Sequence, residues 1–443
     1  MEAVYQDSRQ IELSIERICA SSGFRRSARL QRFLRFLASA QSASGHGPKE
    51  YEVARAVYDK PQNFDPQTDP IVRVEASRLR LRMIEYYQGP GREDDTILEL
   101  PKGSYALRCI QRGRTAAGPP PQLNGARQYY LRGRYLWARR TTESLDEAIV
   151  CFRKAIDADC LDSAAWSGLA DCYSVMGCFE LMPPHVVFPR AIAAARKALE
   201  LDPSSAEAHC SLAMAAGIYE WNAEEAFAGF GRAIALNPEY ASAWQFYGVV
   251  LFGRGLFARS LNALERACSI DPLSPIMRVQ VASLHFLMRD YGQACRICDE
   301  VIRLDPDFWP ARWFAGMALQ QQGRLREANR HLDAAVHMSN RSGIPLGALG
   351  HLAGCEGRRE FAVAIADELE QRRLEQHCSA LSIGLVYLGC GDRQTALRWI
   401  TKASEERSPL LPMFLMGDPR LDPIRAEPEI VRITAELEAG SGR

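Results

Sequence analysis

Apolar residues recur along this chain in two rhythms that change over near residue 113. In the C-terminal part the spacing is helical almost throughout, and amphipathic stretches close at Leu201, Leu236, Ile270 and Leu304. Each is followed by a helix-stopping pair: Asp202-Pro203, Asn237-Pro238, Asp271-Pro272 and Asp305-Pro306, spaced by 35, 34 and 34 residues. In the N-terminal part the patterns are shorter. Helices are predicted over about Ser8–Ser21, Ser27–Gln41 and Lys49–Tyr58. In the second, Ser27 serves as N-cap and Leu30, Phe33, Leu34 and Leu37 form an i, i+3, i+4, i+7 stripe. Asp69 caps and Pro70 opens a further helix, Ile71–Tyr87, whose Val72, Ala76, Leu79, Met83 and Tyr86 gather on one face. Beyond it, apolar positions at Ile97, Leu98 and Leu100, then at Tyr105, Leu107 and Cys109, flank Pro101-Lys102-Gly103-Ser104 and predict a β-hairpin.

A self-similar period of 34 residues resembles the tetratricopeptide repeat, two antiparallel helices per unit. In the repeat opening at Ala241, Trp244 is fourth, Gly248 eighth, Ala267 twenty-seventh and Pro272 thirty-second, as that family requires. The repeat opening at Trp309 carries Gly316, Leu319, Gly323, Ala328, Leu332 and Ala335 at the packing positions. Small residues stand there because two helices approach closely and a larger side chain would clash. The unit opening at Ser163 has Trp166, Leu169-Ala170, Tyr173 and Gly177, but its Pro203 comes nine residues late. An enlarged loop is therefore expected around Glu180–Pro189. With a first unit at 126–161 and two degenerate ones at about 343–377 and 378–409, the array has about eight repeats. The segment 417–437 resembles a cap, which a terminal repeat needs to keep its apolar face dry.

On the helix ending at Tyr87, Arg73, Ser77 and Arg80 share a face other than the apolar stripe, with Arg78 and Arg82 on a flank. A helix so anchored can enter a major groove, where arginine donors reach guanine acceptors. Val74-Glu75-Ala76-Ser77-Arg78-Leu79-Arg80-Leu81-Arg82-Met83, followed by Leu98-Glu99-Leu100-Pro101-Lys102-Gly103-Ser104-Tyr105-Ala106-Leu107, resembles the recognition helix and wing of OmpR/PhoB-type DNA-binding domains. The resemblance implies that Arg73, Ser77 and Arg80 read bases and that Lys102 touches the minor groove or phosphates. It departs in a wing turn one residue shorter and in helices where those domains open with strands. Arg29 and Arg32, beside the first stripe, are candidate phosphate contacts. The segment is also similar to modules that head bacterial tetratricopeptide regulators.

Composition narrows the alternatives. Lys+Arg and Asp+Glu both number 54 in 443 residues, so a uniformly basic coat is excluded and any nucleic-acid surface is local. Residues 1–114 carry 19 Lys/Arg against 15 Asp/Glu. Thirteen cysteines, an odd number in a long chain with no signal-peptide pattern, point to a reducing cytoplasm rather than a disulfide framework. Cys295 and Cys298 have redox spacing but stand alone within a repeat helix, where packing is the expectation. No apolar run is long enough to span a membrane. No catalytic, phosphate-loop or metal-ligand motif occurs, so no enzyme activity and no cofactor are expected.

The expected fold is mostly α: a small winged-helix-like α+β domain (1–112), a Pro/Gly-rich linker (113–125), an all-α tetratricopeptide superhelical solenoid (126–409) and a C-terminal cap and tail (410–443). The expected function is transcription regulation. Double-stranded DNA would bind the N-terminal domain through Arg73, Ser77, Arg78, Arg80, Arg82, Lys102, Arg29 and Arg32. A protein, peptide or small effector would occupy the concave groove and act through dimerisation or the hinge, with a homodimer left open. The competing reading is a non-enzymatic scaffold whose N-terminal module makes protein contacts.

Overall fold

The computed structural model describes residues 11–440 except 12, 26, 45–46, 63, 65–70, 93, 95, 102–104, 112–124, 141 and 375–376. The chain divides into two compact units, residues 1–121 and 122–443.

In the first unit, residues 13–20 are helical (α1), followed by α2 (Ser22–Arg25), α3 (Ala28–Ser44), α4 (Glu50–Tyr58) and α5 (Ile71–Gln88). Strands β1 (Thr96–Glu99) and β2 (Arg108–Gln111) pair antiparallel, with Thr96 opposite Gln111 and Glu99 opposite Arg108. The two predicted stripes are the core. Leu30, Phe33, Leu34 and Leu37 of α3 and Val72, Ala76, Leu79, Met83 and Tyr86 of α5 are all buried, together with Leu98, Leu100 and Leu107. The cap residues Asp69 and Pro70 and the tip residues Lys102, Gly103 and Ser104 lie outside the described residues. The second strand starts at Arg108, not at Tyr105 as the alternation predicts. Gln41 explains the delay: its side-chain amide takes both the N–H (2.6 Å) and the C=O (2.8 Å) of Leu107, so this backbone is spent on α3 rather than on β1.

In the second unit, α6 (Gly125–Arg139) pairs with α7 (Thr142–Ala158), and α8 (Ser163–Cys178) with α9 (Pro184–Leu201). Then α10 (Ala206–Met214), prolonged by a π-turn at Ala215–Tyr219, pairs with α11 (Ala223–Leu236), and α12 (Ala241–Phe252) with α13 (Phe257–Ile270). The series continues with α14 (Pro275–Leu287) and α15 (Tyr291–Leu304), then α16 (Trp309–Gln321) and α17 (Leu325–Met338). It closes with α18 (Gly343–Cys355) and α19 (Arg359–Arg372), then α20 (Ala380–Gly389) and α21 (Arg393–Glu405). Each even-numbered helix also touches the next even-numbered one, so the first helices of the hairpins form a continuous row. This is a tetratricopeptide-repeat solenoid. The glycines read from the sequence mark its close approaches: a Cβ on Gly248 would lie 2.7 Å from Leu264, and one on Gly316 2.6 Å from Leu332.

The late Pro203 does not reflect an enlarged loop. Helix α9 begins at Pro184 and carries Pro189 within it, so the extra residues lengthen α8 and α9 to 16 and 18 residues. Pro189 is the sixth residue of the helix, past its first turn, so it leaves the carbonyl of His185 without the usual intrahelical donor.

Every one of these hairpins turns through a residue with positive φ: Arg140, Glu180, Trp221, Gly255, Arg289, Gly323, Gly357 and Gly391. The last five recur every 34 residues, at the point where glycine adopts the left-handed conformation without steric cost. Of the four that are not glycine, Arg140, Glu180 and Trp221 are buried and Arg289 is partly exposed.

Candidate functional site

In the first unit the structure brings some of the basic candidates to the surface and ties others into the fold. Arg29 and Arg82 are exposed. Arg32 is committed: its guanidinium meets both carboxylate oxygens of Asp59 at 2.9 and 3.0 Å and the carbonyl of Ala56 at 2.6 Å. That pairing raises the arginine and lowers the aspartate from their ordinary values. Arg80 is half-buried and donates from Nε to the carbonyl of Leu100 at 2.9 Å and from a terminal nitrogen to that of Pro101 at 3.0 Å. Arg73, Ser77 and Arg78 lie on α5, at helical spacing from Arg80; their side chains, like Lys102, fall outside the described residues. Glu75 is buried, so its carboxylate does not add a negative charge to the exposed side of the helix.

The hairpin is bonded to α5 at several points. The Leu98 N–H donates to the Tyr87 hydroxyl at 2.8 Å. The Tyr86 hydroxyl donates to Asp94 at 2.8 Å, and Asp94 also accepts from Arg17 at 2.9 Å. Burial and the Asp94 contact push the Tyr86 phenol up, and burial pushes Tyr87 up to about 12, so both remain protonated donors and acceptors at neutral pH.

The interior of the solenoid is not an open groove. After α21 the chain forms α22 (Leu411–Gly417), a 3₁₀ turn (Pro419–Ile424) and α23 (Pro428–Ala439). This segment runs against α12, α14 and α20 of the first-helix row. Phe414 meets Trp313 of α16 with ring centroids 6.3 Å apart. At the turns, Arg289 grips Asp422 through two bonds of 2.7 and 2.8 Å, and Glu180 accepts a hydrogen bond from Ser408. Trp221 is almost fully buried beneath Arg407, whose guanidinium lies 4.2 Å over the ring. Arg254 bridges the carbonyls of Trp221 and Leu437. Within the segment, Asp418 and Arg420 form an ion pair at 2.6 Å with side chains 0% and 1% exposed. The sequence marked this stretch only as a cap over the last repeat; it is also an internal filling.

Near the other end, Asp171 is a buried hub. It accepts from Arg134 at 2.6 Å and from Ser211 at 2.7 Å, with the Tyr240 hydroxyl at 3.5 Å. Trp137 is sandwiched between guanidinium groups, Arg134 at 4.4 Å and Arg140 at 3.6 Å from the ring centre. Cys295 and Cys298 are buried in α15, and burial raises both thiols, as packing residues require. Among the described residues, no group of three or more His, Cys, Asp or Glu side chains is placed to hold a metal ion, and no helix is long and apolar enough to cross a membrane.

The fold and its interior thus define a helical-repeat binding protein. The tetratricopeptide-repeat family model matches residues 222–275. Transcriptional regulator HilA of Salmonella typhimurium is 23% identical over 258 residues, covering 55% of this chain; the chain spans about half, 45%, of the length of that relative. Among solved structures, yeast Tom70 covers 98% of this chain at 16% identity and a TM-score of 0.44. PilF of Pseudomonas aeruginosa covers 47% of this chain and 93% of its own length at 22% identity and a TM-score of 0.35.

Proposed function

We propose that the protein is a DNA-binding transcriptional regulator whose N-terminal unit contacts double-stranded DNA and whose solenoid receives the controlling partner or effector. The observation that carries this reading is the construction of the first unit. A helix with a fully buried apolar stripe is followed directly by an antiparallel hairpin bonded to it, the order of a recognition helix and wing. Arg29 remains at the surface for phosphate, and the helix face of Arg73 and Ser77 is assigned to the bases. The distant similarity to a transcriptional regulator points the same way.

Arg80 and Arg32 favour a second reading, since their internal bonds remove two cations from the proposed surface. In that reading the first unit contacts protein, and the whole chain is a scaffold. Selection of duplexes from a random pool by the full-length chain separates the two. An enriched motif whose affinity falls steeply with salt supports the regulator, because phosphate contacts release counterions. Absence of enrichment with a flat salt response leaves the scaffold.

A further inference from the structure

We propose that the interior of the solenoid binds a small organic carboxylate, with its anionic end on Arg140 and its apolar body in the cavity between the first-helix row and the C-terminal segment. This refines the effector half of the proposed function, and it stands or falls independently of DNA binding.

The cavity measures about 110 Å³. Ile218, Phe246, Val250 and Phe314 form its helical walls, and Leu410 and Met413 of the C-terminal segment close it. An apolar cavity of roughly 150 Å³ accommodates a benzene ring, so this smaller one suits a short branched chain better than a whole ring and excludes a through-going peptide. Its unpartnered cation is Arg140, which is only 8% exposed. Among the described residues this guanidinium has no hydrogen bond or ion pair; its one contact of that kind is the Trp137 ring 3.6 Å beneath it. The nearest anion, Asp171, is already spent on Arg134 and Ser211. Burial pushes Arg140 down to about 10, which still leaves it cationic at neutral pH.

A buried cation without a counter-ion is costly, and folded proteins normally supply one. The backbone adds to the cost, because Arg140 sits at φ 57°, where glycine would be cheaper. Both costs are offset if an anion completes the site. Trp313, on the same walls, holds further capacity: its Nε1 is a buried donor without a partner. Of the two guanidinium groups on these walls, Arg254 is spent on the carbonyls of Trp221 and Leu437, so the one left without a partner, Arg140, matches a monoanion, which is why a carboxylate fits better than a phosphate dianion. Access is provided by a second cavity of about 280 Å³ with polar walls that include Arg341, Arg372 and His377; Arg140 and Phe179 line both. Glu143 and Glu180 both border that second space; Glu143 is exposed to solvent, and burial raises Glu180 to about 7, so its repulsion of an entering anion is blunted near neutrality.

The test is calorimetric titration of the full-length protein with benzoate and 4-methylpentanoate, beside benzamide, 4-methylpentanamide and phenyl phosphate. At least one acid is expected to bind saturably at one site, roughly tenfold or more tighter than its amide. Arg140→Met is expected to abolish acid binding while raising the thermal midpoint of the ligand-free protein, because an apolar side chain replaces an unpaired buried charge. A lowered midpoint would mark Arg140 as structural and overturn the proposal. So would equal binding of acid and amide, tighter binding of phenyl phosphate, or no saturable binding of either acid by the wild-type chain.

Discussion

Arg80 reaches 20 residues along the chain to place its Nε 2.9 Å from the carbonyl of Leu100, at the point where β1 gives way to the tip of the hairpin. With the second bond to Pro101, this contact locks the end of the hairpin to α5. Arg80→Ala is therefore expected to lower the stability of the first unit by about 1–2 kcal/mol, since two buried carbonyl partners are lost. Lysine, which cannot fork across two carbonyls, should recover only part. Thermal unfolding monitored on the first unit decides this; an alanine variant as stable as the wild type would return Arg80 to the exposed candidates.

The surface cations should behave differently. Arg82→Ala and Arg29→Ala are expected to leave stability within about 0.5 kcal/mol of wild type, as surface substitutions do. If the first unit binds DNA, each should weaken all sequences alike and reduce the salt slope by about one. Arg73→Ala should instead cost about 1–3 kcal/mol on the preferred sequence and relax base preference. Titrations of the enriched and a scrambled duplex at several salt concentrations separate the patterns; uniform loss for Arg73→Ala would move it from base to phosphate.

Much of the fold was legible from the chain because two signals are strictly local. The apolar stripes of α3 and α5 became the core of the first unit, and the 34-residue punctuation located the hairpins. The interior of the solenoid was less legible because it is built from residues that break the local rule. Where the turn position is Gly255, Gly323, Gly357 or Gly391, the pattern is visible; where it is Glu180, Trp221 or Arg289, the same backbone is hidden behind a side chain that meets Ser408, Arg407 or Asp422, and at Arg140 behind a guanidinium stacked on the nearby Trp137. Arg80 and Arg32 show the matching difficulty for the surface. Helical spacing places an arginine on a face, but Leu100, Pro101, Asp59 and Ala56 lie 20 or more residues away in sequence, and their bonds decide whether that arginine is available.

Stability should peak near pH 6–6.5. Burial, with smaller contributions from nearby Arg420 and from Arg373 and His185, lowers His351 to about 3 and His377 to about 4, from an ordinary 6.5. Their folded values lie below the unfolded ones, so the stability they contribute is present above about pH 6.5 and is lost as pH falls toward 4 and 3. Glu180 runs the other way. Burial raises it from 4.5 to about 7, so its contribution is full below pH 4.5 and is lost as pH rises through 7. Below pH 6.5 two histidines outweigh one glutamate; above it only the glutamate acts. Glu180→Gln, which can still accept from Ser408, is expected to remove the alkaline limb and gain about 2–3 kcal/mol at pH 8. Thermal midpoints of both proteins at pH 5, 6.5 and 8 check this, and a wild type more stable at pH 8 than at 6.5 would refute it.

Breaking the ion pair of Asp418 and Arg420 should cost the C-terminal segment far more than breaking a surface pair, because both side chains are removed from water. Arg420→Met leaves Asp418 buried and unpaired, with an expected loss of about 3–5 kcal/mol, whereas Arg420→Met with Asp418→Leu should recover most of it. The readout that localises the effect is limited proteolysis: cleavage after about residue 405 should accelerate in the single variant and slow again in the double. Equal stability of the single variant and the wild type would mean that the segment does not depend on the pair.

The turn residues allow the cost of the left-handed backbone to be measured apart from the contacts it serves. Gly323 sits at φ 73° with nothing within 4 Å of the position a Cβ would take, so Gly323→Ala tests backbone strain alone and should lose about 1–2 kcal/mol. Arg289 occupies the equivalent position at φ 68°, one repeat earlier. Arg289→Gly relieves a similar strain but gives up the two bonds to Asp422, which are partly exposed and worth about 0.5–1 kcal/mol. The relief equals or slightly exceeds the loss, so the thermal midpoint of Arg289→Gly should hold or rise slightly. Its C-terminal segment, released from α14, should nevertheless be cut faster by protease than that of Gly323→Ala. A clear fall in the midpoint with unchanged proteolysis would show that Arg289 serves the hairpin itself rather than holding the C-terminal segment inside the solenoid.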